Sequence, residues 1–226
     1  MNTNKPPIIT RPMILLKFGA YDDIVDLQKN GHLYCKPLDY FLTVEDDDLR
    51  GDPDENVLRY EYMIEGNITV QPIDDGVPLP LTFKYSNAQL KERVYNSLKN
   101  MFCLYSIRFT KETLGQVYNI SKECARFGSH FLMIIDSDEF FKRLDTALEG
   151  KLIFKRGFVD YKDFSTYTGD RDLLHKSNNY SFQNEYRILI QNNVDDVLHI
   201  NIGSIEDIST IYSSECIDHF RIKLGD

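Results

Sequence analysis

Glu185 and Arg187 stand two residues apart at the entrance of an apolar run, Ile188-Leu189-Ile190. In an extended chain residues i and i+2 share a face, so the carboxylate and the guanidinium point the same way while Tyr186 and Ile188 point the other. A charged pair on a strand has two readings. It is an exposed cross-strand ion pair, worth about 0–1 kcal/mol. Or it is the floor of a cleft, where a fixed carboxylate stabilises developing positive charge or moves a proton and a fixed cation holds an anionic group. Further polar residues sit at the ends of predicted strands: Lys17 at the first, Tyr105 and Ser106 at a middle one, and Lys176 ahead of the late one. If these strands are neighbours, their ends converge on one cleft. Glu185, Tyr105 and Ser106 are then the candidate catalytic groups, and Lys17, Lys176 and Arg187 the candidate substrate-binding cations.

Other chemistries find no pattern to rest on. There is no Gly-x-x-x-x-Gly-Lys phosphate loop, no Gly-x-Gly-x-x-Gly, no His-Glu-x-x-His and no Gly-x-Ser-x-Gly. The histidines at 32, 130, 175, 199 and 219 lack ligand spacing, so no metal is expected. Cys35, Cys103, Cys124 and Cys216 are scattered without a C-x-x-C and read as reduced thiols of a cytoplasmic protein. A formal charge of −9 argues against passive binding of a phosphate backbone, though not against an enzyme with a small basic cleft. No stretch approaches the ~18 apolar residues of a membrane span, and residues 1–11 lack the apolar block of a signal peptide.

The elements that must position these groups follow from the apolar pattern. A length of 226 residues suits one domain, 1–226, able to bury roughly 70% of its unfolded surface without a staple. Pro6, Pro7 and Pro12 predict a loose arm over 1–12. Residues 13–18 read as a first strand, 22–30 as a short helix stopped at Gly31, and 32–35 as a second strand. An acidic loop over 45–56, densest at 45–55, is expected to be solvated or bound to cations; a calcium-loop template from Asp46 fails at Arg50 and Val57. Glu65-Gly66 predicts a hairpin turn between strands at 57–64 and 67–73, with a further short strand at 81–85. Leu90, Val94 and Leu98 predict a helical face over 88–99. Strands are expected at 101–107 and 130–135, with a helical turn at 121–127 between them. A helix capped by Asp136, with Glu139 three residues on, is expected to end at Gly150. Residues 152–161 read as a strand pair or a strand bent at Gly157, and 197–202 and 219–224 as strands that close the sheet, with a short helix near 205–208. Many strands, few helices and no strand–helix repeat make the class α+β, a strand-rich mixed or antiparallel sheet.

Leu16-Lys17-Phe18, Gly31-x-Leu33-Tyr34, Asp52-Pro53-x-Glu55, Lys176 and Glu185-x-Arg187 come in an order that resembles a family of uncharacterised bacterial and phage proteins marked by an Asn-Asp-Pro-x-x-Glu-like turn and a late Glu-x-Arg strand. Gly51 stands in place of the Asn, Glu55 comes one position early, and Phe127 to His130 stands in for a Trp-rich segment. More distantly, the order of polar signatures is similar to that of the ADP-ribosyltransferase fold. That fold has a split, strand-rich core with a basic residue on an early strand, Ser or Tyr on a middle one and Glu on a late one. Lys17, Tyr105 or Ser106, and Glu185 fill those positions, with Lys where Arg or His is usual. The resemblance implies NAD as co-substrate, a protein or nucleic-acid acceptor, and a place in phage–host conflict, in the host cytoplasm if phage-encoded. In that chemistry Glu185 faces a ribose hydroxyl, Lys17 or Arg187 holds the pyrophosphate and Tyr105 stacks on the nicotinamide. A second reading is a non-enzymatic protein whose acidic surface, led by 45–55, binds and inhibits a basic or nucleic-acid-binding host factor.

Overall fold

A computed structural model describes residues 13–43, 49, 52–70, 81–94, 99–110, 115–150, 154–192 and 196–223. The predicted arm 1–12 and, of the predicted acidic loop 45–56, residues 45–48, 50 and 51 lie outside the described residues. In chain order the strands are β1 (Met13–Gly19), β2 (His32–Pro37), β3 (Val57–Val70), β4 (Leu81–Arg93), β5 (Lys99–Arg108), β6 (Val117–Tyr118), β7 (His130–Ile134), β8 (Phe154–Phe158), β9 (Asp160–Lys162), β10 (Gly169–Asp170), β11 (His175–Ser177), β12 (Glu185–Gln191), β13 (Leu198–Asn201), β14 (Ser209–Ser213) and β15 (Ile222–Lys223). Among the described residues three α-helices, α1 (Tyr21–Asn30), α2 (Tyr40–Thr43) and α3 (Ser137–Leu148), join them, with several 3-10 turns. The class is α+β, and the main sheet is antiparallel throughout. No helix among the described residues is long and apolar enough to cross a membrane.

Among the described residues the main sheet has eight strands, organised around β5. One edge of β5 pairs with β12 along its length, from Glu185 opposite Tyr105 to Gln191 opposite Lys99. The other edge forks. The C-terminal half of β5 pairs with β1, down to Leu16 opposite Tyr105, while its start pairs with β2 through Lys36 opposite Met101 and Pro37 opposite Asn100. Beyond the fork β7 and β14 extend the β1 arm, β13 extends the β2 arm, and β8 lies outside β12.

Both faces of the sheet are covered, which is why β5 and β12 read as apolar runs rather than alternating strands. On one face Leu15, Phe102, Leu104, Ile188 and Ile190 pack under α1 and α3. On the other, Leu16, Tyr105, Ile107 and Phe131 pack against 3-10 turns at Lys122–Phe127 and Ser214–His219. The Asp136 side chain accepts from the Glu139 amide and caps α3, as the spacing predicts. Glu139 does not complete a reciprocal box; its carboxylate takes Lys142 and Arg143 one turn on.

Three expectations are corrected. Residues 57–70 form one continuous strand, with no turn at Glu65-Gly66. Gly66 lies opposite Tyr85, and a Cβ there would run into the Tyr85 ring, so the glycine serves a close cross-strand approach. The helix predicted over 88–99 is the end of β4 and the start of β5, with 95–98 outside the described residues. The helical spacing of Leu90, Val94 and Leu98 coincides with a strand whose partner β3 fixes the period at two. The strand predicted at 219–224 shrinks to β15, which pairs with β6 away from the main sheet, and β14 takes the sheet edge instead. Within 152–161 the break falls at Val159, while Gly157 stays in β8 opposite Arg187.

Replacing Asp136 by Ala removes the α3 cap and should lower stability by about 1 kcal/mol, read as a lower urea midpoint at unchanged m-value; an unchanged midpoint would show the cap contributes nothing.

Candidate functional site

The fork in the sheet opens a cleft of about 720 Å³ between the β1 and β2 arms, lined by residues from β1, α1, β2, β5, β12 and the 127–129 segment. Glu55, Lys176, Gln183, Glu185 and Arg187 form one wall of it.

Local sequence sets the approach to Glu185. A 3-10 turn, Asn178–Gln183, ends at Asn184 in the left-handed region, φ 40°, a conformation Asn tolerates better than most residues. Asn184 is then fixed to β5: Ser106 Oγ donates to its carbonyl at 2.8 Å, and its Nδ2 donates to the Tyr105 hydroxyl at 3.2 Å. The chain enters β12 with the Glu185 amide donating to the Tyr161 hydroxyl at 2.8 Å.

Glu185 and Arg187 share a face, as their spacing requires, and that face is buried. Glu185 Oε1 accepts from Lys176 Nζ and Oε2 from Arg187 Nε, each at 2.7 Å. Arg187 Nη1 and Nη2 fork onto the two oxygens of Glu55, and Nη1 also donates to the Leu173 carbonyl at 2.6 Å. Lys176 Nζ donates in addition to Gln183 Oε1 at 2.7 Å and lies 4.7 Å from the Tyr180 ring centre. The four charges, two cations and two anions, sum to zero. Side-chain exposure falls from 9% at Glu185 through 3% at Lys176 and 1% at Glu55 to none at Arg187. Glu185 is therefore the least buried charge of that wall, and the others are set deeper in it.

Burial alone would raise the Glu185 carboxyl, but Arg187 and Lys176 outweigh it and hold the group well below the usual carboxylate range. Burial opposes the charge of Arg187 too, and Glu185 with Glu55 overcomes it. Burial pushes the Cys103 thiol, which also lines the cleft, up to about 12, so it offers no thiolate near neutrality.

The acidic stretch is read differently once its last residues are seen. Asp52-Pro53 begins a tight turn in which Asp52 Oδ1 accepts from the Asp54 amide and the Asp52 carbonyl from the Glu55 amide, each at 2.9 Å. The turn sends Glu55 inward to Arg187 and Asp52 inward to Arg171, whose Nη2 donates to Asp52 Oδ2 at 2.8 Å. Both carboxylates are buried, contrary to the solvated loop expected for 45–55. Glu55 carries a structural charge of the site that nothing local reveals, since its partner lies 132 positions away. The exposed ion-pair reading of Glu185 and Arg187 falls for the same reason.

The other candidates are distributed as follows. Tyr105 lines the cleft beside Phe18, ring centres 6.3 Å apart. Ser106, the next residue, alternates to the other face and positions Asn184 through its hydroxyl. Lys17 lines the cleft but starts from the face opposite Glu185: Leu16 is paired with Tyr105, so its neighbour Lys17 points to the Phe102 side, 4.2 Å from that ring centre. Its Nζ reaches the carbonyl of Cys103, at 2.9 Å, in the stretch of β5 that the fork leaves between β1 and β2. The fork is thus what brings a cation from one face and a carboxylate from the other to the same opening. Matched against protein-family models, curated proteins and solved structures, the chain finds no counterpart in any of them.

Glu185→Gln would leave two buried cations facing one carboxylate and should cost about 3 kcal/mol at pH 7. A carboxyl held below its unfolded value adds stability that is complete above about pH 5 and is lost as pH falls through and below the ordinary carboxylate range. The wild-type advantage over Glu185→Gln in urea midpoint should therefore shrink steadily from pH 5 to pH 3; a difference independent of pH would contradict the assigned ion pairs.

Proposed function

We propose that the cleft takes NAD and that the protein transfers its ADP-ribosyl group to a protein or nucleic-acid acceptor. The observation that carries this reading is the Glu185 carboxylate, braced by Lys176 and Arg187 at 2.7 Å each, at the wall of a cleft made by the fork of the sheet.

The reaction needs little more than such a site. As the bond between ribose C1′ and the nicotinamide nitrogen breaks, its electron pair neutralises the pyridinium and positive charge develops on the ribose. A carboxylate accepting from a ribose hydroxyl stabilises that charge and costs no reorganisation when its own orientation is already fixed. The acceptor's lone pair then forms the new bond to C1′ and its proton passes to water. A group held as acidic as Glu185 is a poor base near pH 7, so its part is electrostatic. Lys17, at the fork, is a cation of the cleft lining to which we assign the pyrophosphate, and Phe18 and Phe127, 6.1 Å apart, offer rings to the planar groups of the dinucleotide.

With labelled NAD and a cell lysate, wild type should release nicotinamide and transfer label. Glu185→Gln, assayed cold and confirmed folded by circular dichroism, should lose about 100-fold or more in kcat, whereas Lys17→Ala should mainly raise KM. Absence of turnover, with no thermal shift from NAD, would retire the enzyme and leave the acidic binding protein as the reading to pursue.

A further inference from the structure

The β3–β4 ribbon runs 14 residues on one strand and 13 on the other, and its inner end is the part that is held. There β10 pairs with Arg59 and Tyr60, and Val57 and Tyr60 pack against Phe164 and Tyr167. Among the described residues the outer part, 63–70 with 81–88, pairs only with itself. Its register sorts the side chains. Val70 lies opposite Leu81, Ile68 opposite Phe83 and Gly66 opposite Tyr85, so these pairs share one face, and Ile64 alternates to the same side. Thr69 opposite Thr82, Asn67 opposite Lys84 and Glu65 opposite Ser86 make the other face, where the two threonine hydroxyls meet at 2.9 Å. The polar face belongs in water. The apolar face is open as well: Ile64 is 72% exposed, Leu81 66%, Val70 54%, Phe83 49% and Ile68 47%. Five of the twelve large apolar side chains exposed among the described residues thus lie on this one surface. A two-stranded ribbon is marginal in water unless its apolar face is packed against something, and an exposed apolar patch of this kind marks a contact surface.

We propose that a second copy of this chain covers it, the two ribbons packing apolar face to apolar face across a two-fold axis. A flat stripe two strands wide is matched by another of its kind, and a two-fold axis lets one patch serve both sides of the contact. The product is a small two-layer sandwich. Charge favours this place over the rest of the surface. A formal charge of −9 on each copy opposes their approach, yet Glu65 and Lys84 point to the polar face, so 66–70 and 81–85 bring no charge into the contact. Area sets the strength. A large side chain offers about 150–250 Å², so five that are half to three-quarters exposed leave on the order of 500 Å² open on each copy. Two copies would bury about 1,000 Å² in all, the lower end of the range for a specific interface, which makes the dimer a weak one with Kd on the order of 10 μM. Pairing edge to edge is opposed instead, because Asn87, at φ 54°, breaks the extended run of the outer strand β4.

Sedimentation velocity of the full chain from about 1 to 200 μM should show a reversible monomer–dimer equilibrium. Ile68→Thr with Phe83→Thr keeps residues that suit a strand and should weaken the dimer by about tenfold or more. In dilute solution, where the wild type is monomeric, this double variant should melt at the wild-type temperature. Ile135→Thr, which removes a side chain 63% exposed just past β7, should dimerise as the wild type does. Raising salt from about 0.1 to 0.5 M should leave the affinity unchanged or strengthen it, since the contact is apolar and screening relieves the net repulsion. A wild type that stays monomeric throughout would hand the face to a different partner and overturn the proposal. So would a dimer undisturbed by the double variant, an equal loss in Ile135→Thr, weakening by salt, or a fall of several degrees in the melting temperature of the dilute double variant. None of these readings depends on NAD turnover.

Discussion

A guanidinium with no exposed surface is tolerated only where its charge and its N–H groups are met on every side, and Arg187 imposes that condition on this fold. Two carboxylates and a backbone carbonyl meet it, and they come from three parts of the chain: Glu185 two residues away, Leu173 in the preceding connector, and Glu55 from the turn ahead of β3. The requirement ties the connector between β9 and β12 and the turn before the long β3–β4 ribbon to the centre of the main sheet. Without Glu55 the guanidinium would face one carboxylate already shared with Lys176. Without Arg187 two carboxylates would be buried with a single ammonium. Each partner is held in place by the cost of leaving the others unmet.

That network also decides how the site would work. Lys176 and Arg187 fix the orientation of Glu185 and its ionised state, so its charge is available without any proton transfer and its oxygens do not have to turn. The sheet adds the second element. Because β1 and β2 share one edge of β5 and part between Tyr105 and Met101, the stretch around Cys103 is open to Lys17 from one side and lies beside Arg187 on the other. In an unforked sheet, Lys17 and Glu185 would be separated by a closed layer of backbone.

Much of this was readable from residue types at short range. The i and i+2 spacing placed Glu185 and Arg187 on one face, the apolar runs located β1, β5, β7 and β12, and Asp136 with Glu139 marked the start of α3. Local pattern misleads where the deciding partner is distant in sequence. Asp52 and Glu55 look like members of a solvated acidic run because Arg171 and Arg187 lie more than a hundred positions later. Leu90, Val94 and Leu98 suggest a helix until β3 supplies a ladder. Gly66 suggests a turn until Tyr85 is seen to need the space. The apolar run puts Lys17 at the end of the right strand, yet its face and its reach through the fork follow from pairing register, which no local pattern encodes.

Glu185 stands ionised at the cleft wall, its charge held there by buried partners. Carbon-13 NMR of the side-chain carboxyls, with the Glu185 resonance assigned by its loss in Glu185→Gln, measures this directly. The Glu185 signal should keep its ionised shift while exposed glutamates titrate, down to the pH at which the protein unfolds. A Glu185 signal that titrates with the exposed glutamates, in protein still folded, would contradict it.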